Sequence, residues 1–266
     1  DHVVYAPGTV IISAAGEVSD IRKIVEPVMK TDPESRLIYI DMAKDDFKLG
    51  GSSFAQYKNR LGAASPTVTD SAYFIKTFNL LQNLIEEGHI MAGHDVSAGG
   101  LLTTLMEMCF ANYDGGVEVD ITGIPAETVP VLFSEKPGVV IQVNDPHRIT
   151  ALFEKEGILH HLIGRPTEDR DMTLRTREDN IRLGIDRYRD LWFRTSYLLD
   201  RKQSGEKLAK ERSENFKINR LNFDLGKFKG SFKSLGIDPL RRSESGVKAA
   251  IIREKGVNGD REMAHA

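Results

Sequence analysis

Apolar and polar positions along the first 185 residues switch between two periods. Short apolar runs predict strands at 9–15, 37–40, 90–92, 139–143 and 158–163, and strict alternation predicts one at 117–121. Between them, helical recurrence predicts helices at 18–29, 54–61, 71–87, 101–111, 125–133 and 146–156. The helix at 18–29 has Ser19 or Asp20 to cap it. The helix at 71–87 follows Asp70 as N-cap, ends at Gly88, and carries Phe74, Phe78, Leu81 and Ile85 as its apolar stripe. Residues 172–176 and 180–185 predict a closing hairpin across Arg177-Glu178-Asp179. Strand–helix alternation with a final hairpin implies an α/β fold (an α+β sandwich), a mixed sheet covered by helices.

The pattern changes near Asp186. Tyr188, Leu191, Trp192, Tyr197, Leu198 and Leu208 give patches of apolar surface to a helical stretch reaching about Ser213. Residues 216–233 are basic with interleaved Phe216, Phe223, Phe228 and Phe232, which reads as a tether packing its aromatics on a neighbouring domain rather than as a nucleic-acid surface. Residues 236–246 read as a linker, and an apolar run follows at 247–252. The expected organisation is therefore 1–185, 186–246 and 247–266. The chain starts at Asp1 without an initiator Met and stops just after a glycine loop, so both ends suggest an excised piece of something longer.

Composition narrows the function classes. The 266 residues are 40% hydrophobic and 28% charged, with a net charge of −3, so bulk electrostatics points to neither nucleic acid nor an anionic membrane. No apolar run approaches a membrane span. A lone cysteine, Cys109, excludes an internal disulfide and suits a reducing cytoplasm. It lies on the apolar face of its helix, where packing is the expected role rather than nucleophilic attack. The seven histidines show no zinc spacing, and adjacent His160 and His161 face opposite ways on a strand.

Candidate chemistry concentrates at Gly93-His94-Asp95-Val96-Ser97-Ala98-Gly99-Gly100-Leu101, where a strand gives way to a helix. A helix N-terminus carries unpaired N–H groups and partial positive charge, which suits phosphate. Gly99 and Gly100 let a ligand approach the backbone, Ser97 can donate to a phosphate, and Asp95 can hold Mg²⁺ against it. The same residues can equally be a helix cap and a turn. A Walker loop is excluded, because no Gly-Lys-Ser/Thr follows. Gly50-Gly51-Ser52-Ser53 is a second place where backbone amides can meet an anion, or an ordinary turn. Glu135, beside a buried strand, is either a ligand contact or a surface turn carboxylate; the turn is the stronger expectation.

Several stretches together resemble one family. Residues 93–101 resemble the His-Asp-x-Ser-x-Gly-Gly-Leu motif of the formylglycinamidine ribonucleotide and aminoimidazole ribonucleotide synthetase superfamily. Leu49-Gly50-Gly51-Ser52-Ser53-Phe54-Ala55 is similar to its Leu-Gly-Gly-Ser-x-x-Ala loop, and residues 132–143 to its Leu-Phe-x-Glu-x-x-Gly-Val-x-Gln-Val strand. Residues 247–264 resemble the start of the glutaminase domain in the large, single-chain phosphoribosylformylglycinamidine synthases.

The resemblance implies the C-terminal α/β domain of the second synthetase half, of the aminoimidazole-ribonucleotide-synthetase C-terminal type, with the linker and first strand of the glutaminase. In that family ATP, Mg²⁺ and glutamine convert formylglycinamide ribonucleotide to its amidine in purine biosynthesis. ATP activates the amide oxygen as an iminophosphate, and ammonia displaces phosphate. Matched residue by residue, Asp95 is a Mg²⁺ ligand and Ser97, with Gly99 and Gly100, the ATP/ADP contact; Gly50, Gly51 and Ser52 contact phosphate groups across the pseudo-dimer. The matched nucleotide site is the family's structural one. Its remaining ligands and the glutaminase triad lie on other domains of the full chain, so the isolated piece is expected to be inactive, to hold no catalytic residue, to be free to self-associate, and to leave its last strand without a sheet. Selenophosphate synthetase, thiamine-phosphate kinase and a hydrogenase-maturation factor share related architecture, but carry no glutaminase. A non-catalytic interaction module is the remaining alternative.

Overall fold

The computed structural model describes residues 23–217 continuously, together with Ile12, Ser13, Gly16, Asp20, Asp224, Gly226, Gly236, Asp238, residues 250–253, Gly259 and Met263. Seven strands form one mixed sheet: β1 (Arg36–Asp41), β2 (Ala92–Asp95), β3 (Gly116–Asp120), β4 (Gly138–Val143), β5 (His160–Thr167), β6 (Asp171–Arg175) and β7 (Asn180–Gly184). Their spatial order is β2-β4-β1-β5-β3-β6-β7. Every pairing is antiparallel except β3 with β6.

Strand periodicity sorts the core. On β1, Leu37 and Tyr39 point to one face and Ile38 and Ile40 to the other, all buried. A strand covered on both faces reads as a continuous apolar run, which is why 37–40 was legible without alternation. The first face carries α3 (Gly100–Phe110) and α4 (Thr128–Phe133); the second carries α2 (Ser71–Glu86) and α5 (Pro146–Lys155). Gln142 is buried on β4 among apolar neighbours, yet fully used: it bonds the backbone of Lys30 in both directions and accepts no void, since its Nε2 also donates to Ser35 Oγ at 2.7 Å.

Caps agree with the sequence. Asp70 accepts from the Tyr73 amide and Asp145 from the Arg148 amide, so α2 and α5 start as expected. The buried face of α2, however, is Tyr73, Thr77, Leu81 and Leu84; Phe78 is 47% exposed and Phe74 half-buried. Thr77 fits the core because its hydroxyl donates to the Tyr73 carbonyl. The stripe was displaced by two aromatics that instead line a cavity beside β2.

Other expectations change. Residues 24–29 are not helical: Pro27 has no N–H and its ring disrupts a helix interior. The segment runs instead along the free edge of β2, with Gly93 N–H donating to the Glu26 carbonyl and Met29 N–H to the Met108 carbonyl. Ile12 and Ser13 belong to no strand and Ile12 is 86% exposed; the rest of the expected strand at 9–15 lies outside the described residues, as does most of 18–22. The short helix α1 (Ser53–Tyr57) ends early, before left-handed Asn59. The helical stretch after 185 is two helices, α6 (Ile185–Ser204) and α7 (Glu206–Glu214), parted at Gly205, whose φ of 83° and ψ of 163° suit glycine alone.

The chain divides into two compact units, 1–215 and 216–266. The first therefore continues past the composition change at 186. It does so because α6 packs on α3: Trp192 Nε1 donates to Glu107 Oε1 at 2.9 Å, and its ring lies 5.9 Å from that of Phe110. The expected tether, linker and glutaminase strand, at 216–233, 236–246 and 247–252, fall almost wholly outside the described residues. Among the described residues, no helix is long and apolar enough to cross a membrane.

Candidate nucleotide site

The turn after β2 is built by its own backbone. Gly100 N–H donates to the Ser97 carbonyl, and Gly99 adopts φ 90° as the cap of α3. No side chain caps this helix, so Ser97 is not its N-cap. The strand delivers Asp95 to its exposed end, with the carboxylate 74% exposed. Ser97 is also exposed, and its hydroxyl has no hydrogen-bond partner among the described residues. Both groups are thus open to solvent, and Asp95 Oδ1 also lies 3.4 Å from Nδ1 of the neighbouring His94.

The four glycines shape the two turns. Gly100 is buried, and a Cβ there would lie 2.6 Å from the Leu132 carbonyl oxygen; its φ of 72° disfavours a side chain as well. Gly100 thus lets α3 close onto the end of α4. The Gly99 amide is taken by Glu135 Oε1 at 2.8 Å. In the second loop, Gly50 N–H donates to the Ala64 carbonyl, Gly51 N–H to Leu61 and Ser52 N–H to Leu49. Ser52 Oγ accepts from the Ala55 amide and donates to the Leu49 carbonyl. The backbone N–H groups of Gly50, Gly51, Ser52, Gly99 and Gly100 therefore all have partners within the chain.

Three successive residues that read as a turn prove to be a clamp. Ser134 Oγ donates to the Lys48 carbonyl at 2.7 Å. Glu135 Oε1 accepts from Ser53 N–H at 2.7 Å as well as from Gly99. Lys136, 2% exposed, donates to Asp41 Oδ2 at 2.8 Å and to the Asp45 carbonyl at 2.9 Å, with its ammonium 3.6 Å from the centre of the Phe47 ring. The Phe54 and Phe133 rings stack 4.7 Å apart beside it. Glu135 is thus no surface turn carboxylate, and Lys136 was missed altogether. The signal available was two charges lodged between the apolar runs 131–133 and 139–143.

His94 braces the same turn. Its Nδ1 lies 2.8 Å from the Asp95 carbonyl oxygen and its Nε2 3.4 Å from Glu107 Oε2. Asp95, His94 and Glu135 sit at the polar end of a cavity of about 660 Å³ whose other walls include Phe74, Phe78 and Val139. Away from it, burial pushes the Cys109 thiol up to about 12, so it is a packing group and no nucleophile. His161 is held below the usual histidine range, first by burial and then by the neighbouring His160.

Asp95 fits a magnesium site in part. Mg²⁺ takes oxygen ligands, commonly one or two carboxylates with phosphate and water. Among the described residues no group of three or more His, Cys, Asp or Glu is arranged to hold a metal. At the turn after β2 the described residues offer one exposed carboxylate and one exposed hydroxyl.

Residues 33–177 match the family described as AIR synthase related protein, C-terminal domain. Over its whole length the chain is 32% identical to a probable phosphoribosylformylglycinamidine synthase, chloroplastic/mitochondrial, of Arabidopsis thaliana, covering 19% of it. It is 30% identical to a probable phosphoribosylformylglycinamidine synthase of Caenorhabditis elegans, covering 21%. The chain thus spans about a fifth of the length of these curated relatives. It is also similar to T. maritima PurL complexed with ATP, at 16% identity and a TM-score of 0.47, over 62% of this chain and 27% of that one.

Proposed function

The chain belongs to the AIR synthase related protein family, whose C-terminal domain it carries, and from that premise we propose that it is one domain of a glutamine-dependent phosphoribosylformylglycinamidine synthase. In this reading the full-length ligase uses ATP and glutamine to convert formylglycinamide ribonucleotide to its amidine in purine biosynthesis. The domain is the C-terminal α/β part of the second synthetase half, joined by a linker to a glutaminase that begins near Val247. By itself it turns nothing over. Its other half-site, the first synthetase half and the glutaminase belong to the same longer polypeptide. We place that enzyme in the cytoplasm.

One observation carries the reading: Asp95, at the end of β2 and lining an open cavity, and Ser97, two residues on, are both exposed. Asp95 would be one Mg²⁺ ligand and Ser97 would donate to a nucleotide phosphate. The ion, when bound, neutralises phosphate charge. Gly99 and Gly100 shape the turn, and His94 orients it from behind. Gly50, Gly51 and Ser52 shape the loop against which that turn rests.

The test uses the full-length protein. D95N is expected to weaken Mg²⁺-dependent ADP binding more than about tenfold, measured by equilibrium dialysis. Loss of nucleotide with retained turnover marks a scaffold site; loss of both marks a catalytic one. Unchanged binding removes Asp95 from the site.

A further inference from the structure

We propose that Glu135 is a positioning residue for this nucleotide site, an inference that rests on the reading just given. A single carboxylate oxygen accepts two backbone N–H groups, from Ser53 at 2.7 Å and from Gly99 at 2.8 Å. The donors lie 82 and 36 residues away in sequence. No local rule connects them; the carboxylate does. Bonds from amides to an ionised oxygen are stronger than neutral ones, so this junction is firm.

What it holds is the turn itself. Gly99 has the left-handed conformation that ends the turn, and the next amide, Gly100, closes it on the Ser97 carbonyl. Fixing the Gly99 N–H therefore fixes where Ser97 stands and how the chain leaves Asp95. The carboxylate is in turn held from both neighbours. Ser134 is bonded to the Lys48 carbonyl and Lys136 is buried on Asp41, so the backbone at 135 has little freedom. On the other side, the Ser53 amide opens α1, whose loop is closed by its own carbonyls. Glu135 thus ties a rigid loop to the turn that presents both proposed ligand groups. Removing a group that orients the atoms touching a metal typically costs about ten- to a hundredfold in affinity.

A glutamine at 135 keeps an oxygen that can accept both amides but removes the charge; alanine removes both. In the full-length protein, E135A is expected to weaken Mg-ADP binding by about tenfold, and E135Q by less than about threefold, with its Mg²⁺ dependence unchanged. Binding is read by equilibrium dialysis across a Mg²⁺ series, and folding by circular dichroism of the nucleotide-free proteins. Wild-type affinity in E135A overturns the proposal. So does E135Q as weak as E135A with a shifted Mg²⁺ dependence, since Glu135 would then act through its charge as a ligand. If E135A fails to fold, E135D takes its place, because the shorter side chain cannot span both amides: weakened binding supports positioning and unchanged binding overturns it. D95N measured alongside separates the two readings. Loss in D95N with E135A intact defeats only the positioning role, whereas wild-type binding in D95N defeats the site.

Discussion

Lys136 shows how a charge becomes part of a core. Its ammonium has a carboxylate at 2.8 Å, a carbonyl at 2.9 Å and an aromatic face at 3.6 Å, so its loss of water is offset on three sides. Asp41 is satisfied in parallel, its Oδ1 accepting from the amides of Ala43 and Lys44. Removing one partner of such a pair strands the other charge. K136A is expected to destabilise the chain by about 3 kcal/mol in urea denaturation, and adding D41N to it should recover part of that loss. If K136A costs nothing, the pair is wet and the clamp is not anchored as described. Residues of this kind were poorly legible in the sequence, because a Glu-Lys pair between apolar runs looks like any solvated turn. The turn that carries Asp95 and Ser97 was legible, since strand, acid, hydroxyl, glycines and helix follow one another without a gap.

At the level of elements, positions with local causes read correctly. Asp70, read as the cap of α2, caps it because the cap bond spans only three residues; the structure adds Asp145 as the cap of α5. The β6–β7 hairpin needs only its own two strands and the turn between them. Elements whose fate is set by neighbours did not read correctly. Residues 24–29 have helical spacing, but Pro27 breaks the helix, and the segment bends there and bonds instead to Gly93 of β2 and Met108 of α3. The glycines divide in the same way. Gly51 has a φ of 77° with nothing near its missing Cβ, whereas Gly100 has both a positive φ and backbone at 2.6 Å. G51A should therefore cost about 1 kcal/mol, and G100A roughly 2–5 kcal/mol, as conformational strain adds to the clash with Leu132 and Phe133. Equal costs for the two, measured as shifts in the denaturation midpoint, would remove the packing role given to Gly100.

On the scale of the whole molecule, the question is whether α6 is tether or domain. Composition suggests a boundary at 186, yet the first compact unit runs on to Asn215, and Ile185 is fully buried at the start of α6. The lone tryptophan, Trp192, reports on this contact, because its indole is bonded to Glu107 and lies beside Phe110 of α3. In urea, tryptophan fluorescence and far-ultraviolet circular dichroism should change together, as one cooperative transition. Fluorescence moving well before the helical signal would show α6 leaving the sheet independently.

By itself the amino-acid sequence determined the strands and helices with strong periods, the Asp70 cap, the α/β class, and the turn bearing Asp95 and Ser97. All of these depend on residues within a helical turn or a strand of one another. Only the tertiary structure decided that the glycine amides are occupied, that α2 buries Tyr73 and Leu84 while leaving Phe78 exposed, and that Glu135 joins two loops. Those outcomes depend on partners dozens of residues away, and a hydrogen bond or a packed face exists only once both sides have been brought together.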